Sequence, residues 1–317
     1  LLRASLLVHD VGHGPFSHAS EHVLGVRHEE RTRAILDLPE MRAALDGLDV
    51  DANDVLELVA GEGANRYPVL KELVSGPNLD ADRMDYLLRD SYFTGVTNGR
   101  YDAEQLTISF RIFEQNGKPA LGIDGRGIVA LESFVIARYM MFATVYFHHT
   151  TRMFERLLNE ALEEVWPDPR ALEDVSEFLA WDDFRVLEAL RSAPGAAAAA
   201  LRSRDILYVV AAEFNAARDL TRFERCFDAL RRRYGDAVWA DSQEQLLHRL
   251  PLGSDGSEPT ILVATDSGLV DAREASDLIS RLSGKAYWRK LFVAKAAAPA
   301  AEVRALCRRV ADGGEAA

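Results

Sequence analysis

The hydrophobic positions along the chain recur mostly at helical spacing, and glycine and proline mark where the segments end. The first ten residues predict the last part of a buried helix, which Gly12, Gly14 and Pro15 break. The longest helical pattern covers residues 128–165 and is rich in Phe, Tyr and Met. Other helical patterns lie at residues 16–46, 50–60, 67–75, 80–91, 171–192 and 214–233. These patterns predict a mainly α protein.

Two parts of the chain depart from the helical spacing. Residues 100–127 alternate apolar and polar positions between Gly and Asn turns, which predicts a small hairpin or an irregular insertion. Beyond residue 250, short apolar runs at 261–263 and 291–293 flank a helical pattern at 271–283, which indicates mixed α/β structure. We therefore predict three regions, which are a helical core at 1–165, a helical extension at 166–250, and a small α+β C-terminal lobe at 251–317 that ends in a disordered tail.

Composition and charge exclude several classes of protein. The 317 residues are 48% hydrophobic and 27% charged, a globular balance, and the net charge of -13 argues against non-specific nucleic-acid binding. No apolar run approaches the roughly 20 residues that span a bilayer, and two cysteines cannot form a disulfide framework. We expect a cytoplasmic protein with no membrane partner. Because Leu1 lies inside an apolar periodic segment without a start methionine, we also expect a fragment that lacks its first helix or helices.

The histidines are unevenly distributed. Seven of the eight lie in the first 149 residues, and five lie in the first 28, which are His9, His13, His18, His22 and His28. The glycines and the proline between positions 9 and 18 permit a sharp bend that brings several of these side chains and Asp10 together. Imidazole and carboxylate groups suit borderline divalent ions, and the absence of a thiol cluster disfavours a structural zinc site. This run predicts a catalytic metal site, although an isolated His–Asp pair is also typical of a buried polar pair.

A second polar pattern lies in the predicted helix at residues 80–91. Asp82, Tyr86 and Asp90 follow at positions i, i+4 and i+8, so that they share one stripe of the helix. Two carboxylates and a phenol could therefore face one cavity. A solvated acidic face explains the same spacing equally well.

Three runs together resemble a known family. They are HDVGHGPFSH at 9–18, LDADRMDYLLRD at 79–90 and VYFHHTTR at 145–152. With these runs the chain resembles the HD-domain phosphohydrolases, and among them the deoxynucleoside triphosphate triphosphohydrolase branch, which is dGTPase-like. The resemblance covers residues 1–165 and implies that the helical core is an HD domain.

The resemblance implies one divalent metal ion, without distinguishing Mg, Mn, Fe, Zn, Ni and Co. The implied ligands in this chain are His9, Asp10 and Asp82, and a fourth ligand is a histidine on a helix that would precede Leu1. The implied catalytic residues are His13, His18, Glu21 and His28, with His18 as the acid that protonates the leaving 5′ oxygen. The implied substrate-binding residues are Arg83, Tyr86, Asp90, Tyr146, His148 and His149. His149 departs from the lysine that relatives often have, and His22 and His248 match no functional position.

The implied activity is metal-dependent hydrolysis of a deoxynucleoside triphosphate to a deoxynucleoside and inorganic triphosphate. The resemblance also implies a homo-oligomer. One alternative is an HD-family phosphohydrolase that acts on another nucleotide, such as a monophosphate or a cyclic dinucleotide. Another is a nucleotide-binding regulatory protein that is inactive as this fragment. The sequence leaves the base preference and allosteric regulation open.

Overall fold

The structure is a computed structural model that describes residues 1–61, 66–76, 79–115, 117–168, 172–246, 261–266, 268–282 and 285–313. Its helices are α1 Leu2–Val8, α2 His18–Leu24, α3 His28–Leu36, α4 Pro39–Asp46, α5 Ala52–Val59, α6 Pro68–Ser75, α7 Ala81–Thr94, α8 Ala103–Ser109, α9 Ile128–Met141, α10 His149–Val165, α11 Val175–Leu179, α12 Asp183–Ser192, α13 Ala196–Ser203, α14 Leu220–Tyr234, α15 Ala272–Ala275, α16 Asp277–Leu282 and α17 Ala300–Ala311. Its strands are β1 Phe110–Gln115, β2 Lys118–Asp124, β3 Tyr208–Phe214, β4 Val238–Leu246, β5 Leu262–Thr265, β6 Gly268–Asp271 and β7 Lys285–Ala294.

The strands form two small sheets. One has the order β1-β2-β5-β6, in which β1 and β2 form the predicted hairpin and β2 runs parallel to β5. The other has the order β3-β7-β4 and is antiparallel throughout. Helices make up most of the rest. The prediction of a mainly α protein with a small α+β region is confirmed.

The long helical pattern at 128–165 is interrupted rather than continuous. Helix α9 is followed by a π-helical turn, Phe142–Tyr146, and α10 begins after His148. The His148 ring nitrogen Nδ1 accepts a hydrogen bond from the Thr150 amide (3.3 Å), which caps α10. A π-helical turn adds a residue to the helical repeat and commonly marks a functional site. Here it overlaps the start of the VYFHHTTR run at Val145 and Tyr146.

Strands β3 and β4 lie inside the segment predicted to be a helical extension. Strand β3 shows buried positions at every second residue over its first part, a strand period that the helical interpretation did not use. Among the described strands, each of the two pairs only with β7, which is more than 35 residues further along the chain than either. The three-region division stays a prediction, and its tail after Gly313 lies outside the described residues.

The segment from β5 to α16 packs on the helical core. Ile261, Val263 and Ile279 are buried in the same cluster as Leu131 and Phe134 of α9. A second cluster surrounds α10, where three residues of the alanine run in α13 are buried. Small side chains let α13 approach α10 closely. The run of five alanines at 196–200 is therefore part of a core helix.

One described stretch, Gly125–Tyr146, is long and apolar enough to cross a membrane by length and composition. Its residues Leu131, Phe134 and Met141 are fully buried in the core cluster around α9. A buried core helix passes the same test, so this stretch is weak evidence for a membrane span.

Candidate active site

The turn between α1 and α2 is held against α3 by a close backbone approach. A Cβ atom on Gly12 would lie 2.1 Å from the His28 carbonyl oxygen and 2.3 Å from the Thr32 amide nitrogen, so only glycine fits. The Gly12 amide donates a hydrogen bond to Thr32 Oγ1 (3.0 Å), and that hydroxyl donates to the His9 carbonyl (3.3 Å). These contacts bring His28, the first residue of α3, to the His9–Asp10 turn.

The residues before α2 adopt an unusual backbone conformation. Phe16 and Ser17 have φ values of 59° and 51°, a left-handed region that non-glycine residues seldom occupy. Asp183 at the start of α12 accepts a hydrogen bond from the Phe16 amide (2.9 Å), which helps to hold this loop. Such strain persists only where surrounding structure enforces it, and it is concentrated at functional sites. The loop determines where His18 begins α2.

His9, Asp10 and Asp82 form a compact cluster of possible metal ligands. His9 Nε2 lies 3.4 Å from Asp10 Oδ2 and 3.5 Å from Asp82 Oδ1. The facing Asp82 carboxylate, with a smaller effect of Asp10, outweighs burial and raises the pKa of His9 to about 9. The sequence separates Asp82 from the pair by 72 positions, and the fold brings the three together.

The local hydrogen bonds of His9 fit a metal ligand. Its Nδ1 atom hydrogen-bonds to the Leu6 carbonyl (2.9 Å), which leaves Nε2 as the atom that faces the carboxylates. Within the described residues, the buried Nε2 atom has no hydrogen-bond partner. Metal-binding histidines commonly donate their second ring N–H to a carbonyl in this way. One imidazole and two carboxylates are also a donor set that borderline divalent ions accept, so the residues fit the predicted metal.

Three histidines converge on one carboxylate beside this cluster. His28 Nδ1 lies 2.6 Å from Glu21 Oε1, and the Nδ1 atoms of His13 and His18 lie 3.4 Å and 3.3 Å from the same carboxylate. Burial by itself would raise the pKa of Glu21, but the hydrogen bonds with His28 and His18 outweigh burial and lower it. Burial and the neighbouring His28 lower the pKa of His13. Glu21 therefore stays ionised, and its hydrogen bonds orient the rings of His28 and His18.

Asp10 connects the two clusters. Its Oδ2 atom faces His9, and its Oδ1 atom lies 3.7 Å from His13 Nε2. His13 is stacked on His28 with ring centroids 4.0 Å apart, whereas the His18 side chain is 72% exposed. Glu21 and the three histidines around it also lie close enough together to hold a cation. His18 is thus the member of this group that an incoming ligand reaches most easily.

A further group, made of two tyrosines and one aspartate, lies where α7 meets the π-helical turn. The Tyr146 hydroxyl donates a hydrogen bond to Asp90 Oδ2 (2.6 Å), and the Tyr86 ring meets the Tyr146 ring edge-on, with centroids 6.2 Å apart. Burial raises the pKa of both phenols, so both remain hydrogen-bond donors at neutral pH. Asp82 belongs to the cluster of possible metal ligands, and Asp90 binds Tyr146. The stripe of Asp82, Tyr86 and Asp90 therefore faces other site residues and is not a solvated acidic face.

The structure gives the other predicted substrate-binding residues different partners. The Arg83 guanidinium pairs with Asp80, whose carboxylate also accepts the Arg83 amide (2.8 Å) as the cap of α7. His149 Nδ1 lies 3.0 Å from Glu213 Oε1 of β3, and its ring is 4.1 Å from that of His148. Both histidines line a cleft against the three-stranded sheet.

The two histidines without a predicted role lie elsewhere. His22 lines a groove beside α10. His248 lies outside the described residues.

One charged residue near the site was not predicted from the sequence. Arg138 of α9 is only 5% exposed, and its positive charge acts on Asp80, Tyr86 and Tyr146. Burial raises the pKa of Asp80 to about 6, and the charges of Arg83 and Arg138 oppose that rise. The signal in the sequence was the position of Arg138 inside the apolar stretch of α9, because a charged residue on a buried helix usually has a specific partner or role.

Comparison with known proteins gives the family. The family described as HD associated region matches residues 102–303, nearly two thirds of the chain. The chain therefore belongs to the HD-associated region family, within the HD superfamily.

Individual relatives and one solved structure match this chain over different shares of its length. An uncharacterised protein from Methanocaldococcus jannaschii is 35% identical over 191 residues, which are 60% of this chain and 39% of that protein. A Dictyostelium discoideum protein named deoxynucleoside triphosphate triphosphohydrolase SAMHD1 homolog is 28% identical over 198 residues, which are 57% of this chain and 37% of that protein. The chain thus spans less than half the length of these curated relatives. The crystal structure of a hypothetical protein from Aquifex aeolicus has a TM-score of 0.80 and 26% identity over 96% of this chain and 79% of the other.

Proposed function

We propose that this protein is a metal-dependent phosphohydrolase that converts deoxynucleoside triphosphates to deoxynucleosides and inorganic triphosphate. The observation that carries the proposal is the contact through Asp10 between a His–Asp–Asp cluster and a group of three histidines around one glutamate. The first cluster suits a divalent ion, and the second suits proton transfer. The name of the Dictyostelium relative supports the choice of substrate.

His9, Asp10 and Asp82 would hold the metal ion. When bound, a divalent ion supplies Lewis acidity toward a phosphate oxygen and lowers the pKa of water. Asp10 has a second role in this arrangement, because its other oxygen faces His13 and restrains that ring. The three ligands are fixed by α1, α3 and α7, so the cluster is formed by the fold itself.

His18 is the residue that we propose as the proton donor to the leaving 5′ oxygen. Its ring is exposed, and Glu21 holds Nδ1 at 3.3 Å, which leaves Nε2 for the substrate. A positioned general acid of this kind contributes about 10²–10⁴-fold to the rate. The rings of His13 and His28 pack against His18 and would add hydrogen-bonding groups toward the phosphates. The buried Arg138 adds a positive charge that acts on Tyr86 and Tyr146.

Tyr146 and Asp90 are the residues that we propose for the sugar. Asp90 can accept a hydrogen bond from a 3′-hydroxyl, because the Tyr146 hydroxyl occupies only its Oδ2 atom. The Tyr146 ring is fixed by that bond and by packing against Phe142 (ring centroids 5.2 Å apart). A rigid ring beside the sugar would exclude a 2′-hydroxyl and favour deoxyribose.

A product assay tests the proposal. The purified protein is incubated with each deoxynucleoside triphosphate, the matching ribonucleotides, deoxynucleoside monophosphates and a cyclic dinucleotide, and the inorganic products are separated by ion exchange. We expect triphosphate as the sole inorganic product, and only from deoxynucleotides. Orthophosphate released from a monophosphate, or a linear dinucleotide or monophosphate formed from the cyclic dinucleotide, would instead indicate another nucleotide substrate. Saturable binding without turnover would indicate a regulatory binding protein. Assembly as a homo-oligomer stays a prediction, which sedimentation of the same sample measures.

A further inference from the structure

A separate cavity lies between α3 and the segment that leads into α11. Its volume is about 190 Å³, and residues Val26, Glu30, Arg31, Ala34, Ile35, Glu173, Val175 and Phe178 line it. The walls are largely aliphatic and aromatic, with two acidic residues, Glu30 and Glu173, on exposed positions. None of these residues belongs to the metal cluster or to the histidine group.

The unusual member of this lining is Arg31, which is only 7% exposed. Its Nη1 atom donates a hydrogen bond to the Leu172 carbonyl (2.8 Å), and its guanidinium lies over the Phe178 ring, 4.1 Å from the centroid. Its Nε and Nη2 atoms are buried, and neither has a hydrogen-bond partner in the described part of the chain. Burying a charge with unpaired donors is costly, and folded proteins seldom tolerate it without a reason.

The two unpaired donors are adjacent. Nε and Nη2 form one side of the planar guanidinium, the edge that matches the two oxygens of a carboxylate. The nearby acids do not supply that partner. Glu30 instead contacts Arg27 (3.3 Å), and the charge of exposed Glu173 only partly opposes the effect of burial, which lowers the pKa of Arg31.

We propose that this cavity binds a small monocarboxylic acid with a hydrocarbon body, whose carboxylate accepts both free N–H groups of Arg31. The hydrocarbon part would pack on Val26, Ala34 and Phe178. Apolar cavities of about 150 Å³ accommodate benzene, so the volume here is sufficient for a six-carbon chain. The two acidic residues at the cavity disfavour a phosphate, which carries more negative charge. The proposal is independent of the hydrolase activity.

Hexanoate is the probe for a direct test. The protein with ¹⁵N-labelled arginine is titrated with hexanoate, hexan-1-ol and inorganic phosphate in separate experiments, and the arginine Nε–Hε signals are followed by NMR. We expect hexanoate to shift one Nε–Hε signal, and the shift to reach a plateau as the hexanoate concentration rises. The signal is assigned to Arg31 because it is missing from the spectrum of Arg31→Met. Hexan-1-ol lacks the charge and phosphate lacks the hydrocarbon, so both should bind at least tenfold more weakly.

Three variants make the test specific. Arg31→Met should weaken hexanoate binding at least tenfold, whereas Arg33→Met, which removes the same charge from the exposed face of α3, should leave it unchanged. Ala34→Leu fills the cavity and keeps Arg31, so it should abolish binding even if Arg31→Met does not fold. Equal hexanoate affinity in the wild type and in Ala34→Leu would overturn the proposal. Phosphate binding that is tighter than hexanoate binding at the same signal would also overturn it.

Discussion

Replacing Thr32 by valine tests how the helix behind the candidate site is held in place. Valine has nearly the same shape as threonine and lacks the hydroxyl. The wild-type hydroxyl makes two hydrogen bonds, one from the Gly12 amide (3.0 Å) and one to the His9 carbonyl (3.3 Å). Thr32 is fully buried, so water cannot replace either bond in the variant.

The structure sets the size of the expected effect. Leaving the buried Gly12 amide without an acceptor costs ~1–3 kcal/mol, and the loss of the longer bond to His9 adds roughly 1 kcal/mol. The methyl group that replaces the hydroxyl keeps the packing, so a cavity adds little. We therefore expect Thr32→Val to lower the free energy of unfolding by about 2–4 kcal/mol.

Urea unfolding followed by circular dichroism measures this loss, and amide hydrogen exchange locates it. The Gly12 amide should exchange faster in the variant than in the wild type. Thr107→Val is the matched control, because the Thr107 hydroxyl is exposed and donates only to the Ala103 carbonyl of its own helix. The control should change stability by no more than about 0.5 kcal/mol. If the two variants lost the same stability, or if exchange at Gly12 did not change, the hydroxyl would not be what holds α3 against the turn.

Four further predictions concern the site and the pH dependence of folding. Asp82→Asn should lower the metal content of the purified protein, measured by plasma mass spectrometry, and an unchanged content would remove Asp82 from the ligands. His18→Ala should reduce triphosphate release by about 10²-fold or more while nucleotide binding persists, and retained turnover would exclude the acid role. Tyr146→Ala should bring the kcat/KM values for deoxy and ribo substrates closer together, and unchanged discrimination would contradict the steric role. Burial raises the pKa of Glu72 in the folded chain, so the folded state holds this proton at a pH where the unfolded state has released it. The free energy of unfolding of the wild type should therefore fall as pH rises from the pKa of Glu72 in the unfolded chain through its pKa in the folded chain. Urea unfolding between pH 4 and pH 7 measures this fall, which should be smaller in Glu72→Gln. An equal fall in both proteins would show that Glu72 is not the cause.

The helical part of the fold could be predicted well because its signals are local. The helices from α2 to α6 fall within predicted segments, and α7 extends three residues past the end of its predicted segment. The β1–β2 hairpin falls within the predicted insertion. Asp51, Asp80 and Asp102 each cap the helix that follows, which shows how closely the ends are determined by neighbouring residues.

Strands β3 and β4 could not be predicted in the same way. Each depends on β7, a distant segment, and their pairing supplies the hydrogen bonds that a local pattern does not show. The parallel contact between β2 and β5 is equally non-local, since more than 130 residues separate the paired positions. It connects the hairpin to a segment predicted to belong to the C-terminal lobe.

The candidate site was likewise predicted only as far as local sequence features allow. The sequence by itself determined the donor types, because the run from His9 to His18 contains the imidazoles, the carboxylate and the glycine that a bent metal-binding turn requires. It also determined the stripe of Asp82, Tyr86 and Asp90, since helical periodicity fixes which residues share a face.

Only the tertiary structure decided what each donor meets. It placed Asp82 beside His9, directed Asp10 to both clusters, and paired Tyr146 with Asp90. It also paired His149 with Glu213 and buried Arg31, which no local pattern indicated. The physical reason is that residue type and spacing along a helix are properties of the local chain, whereas burial, pKa and metal coordination depend on groups that distant segments bring within a few ångströms.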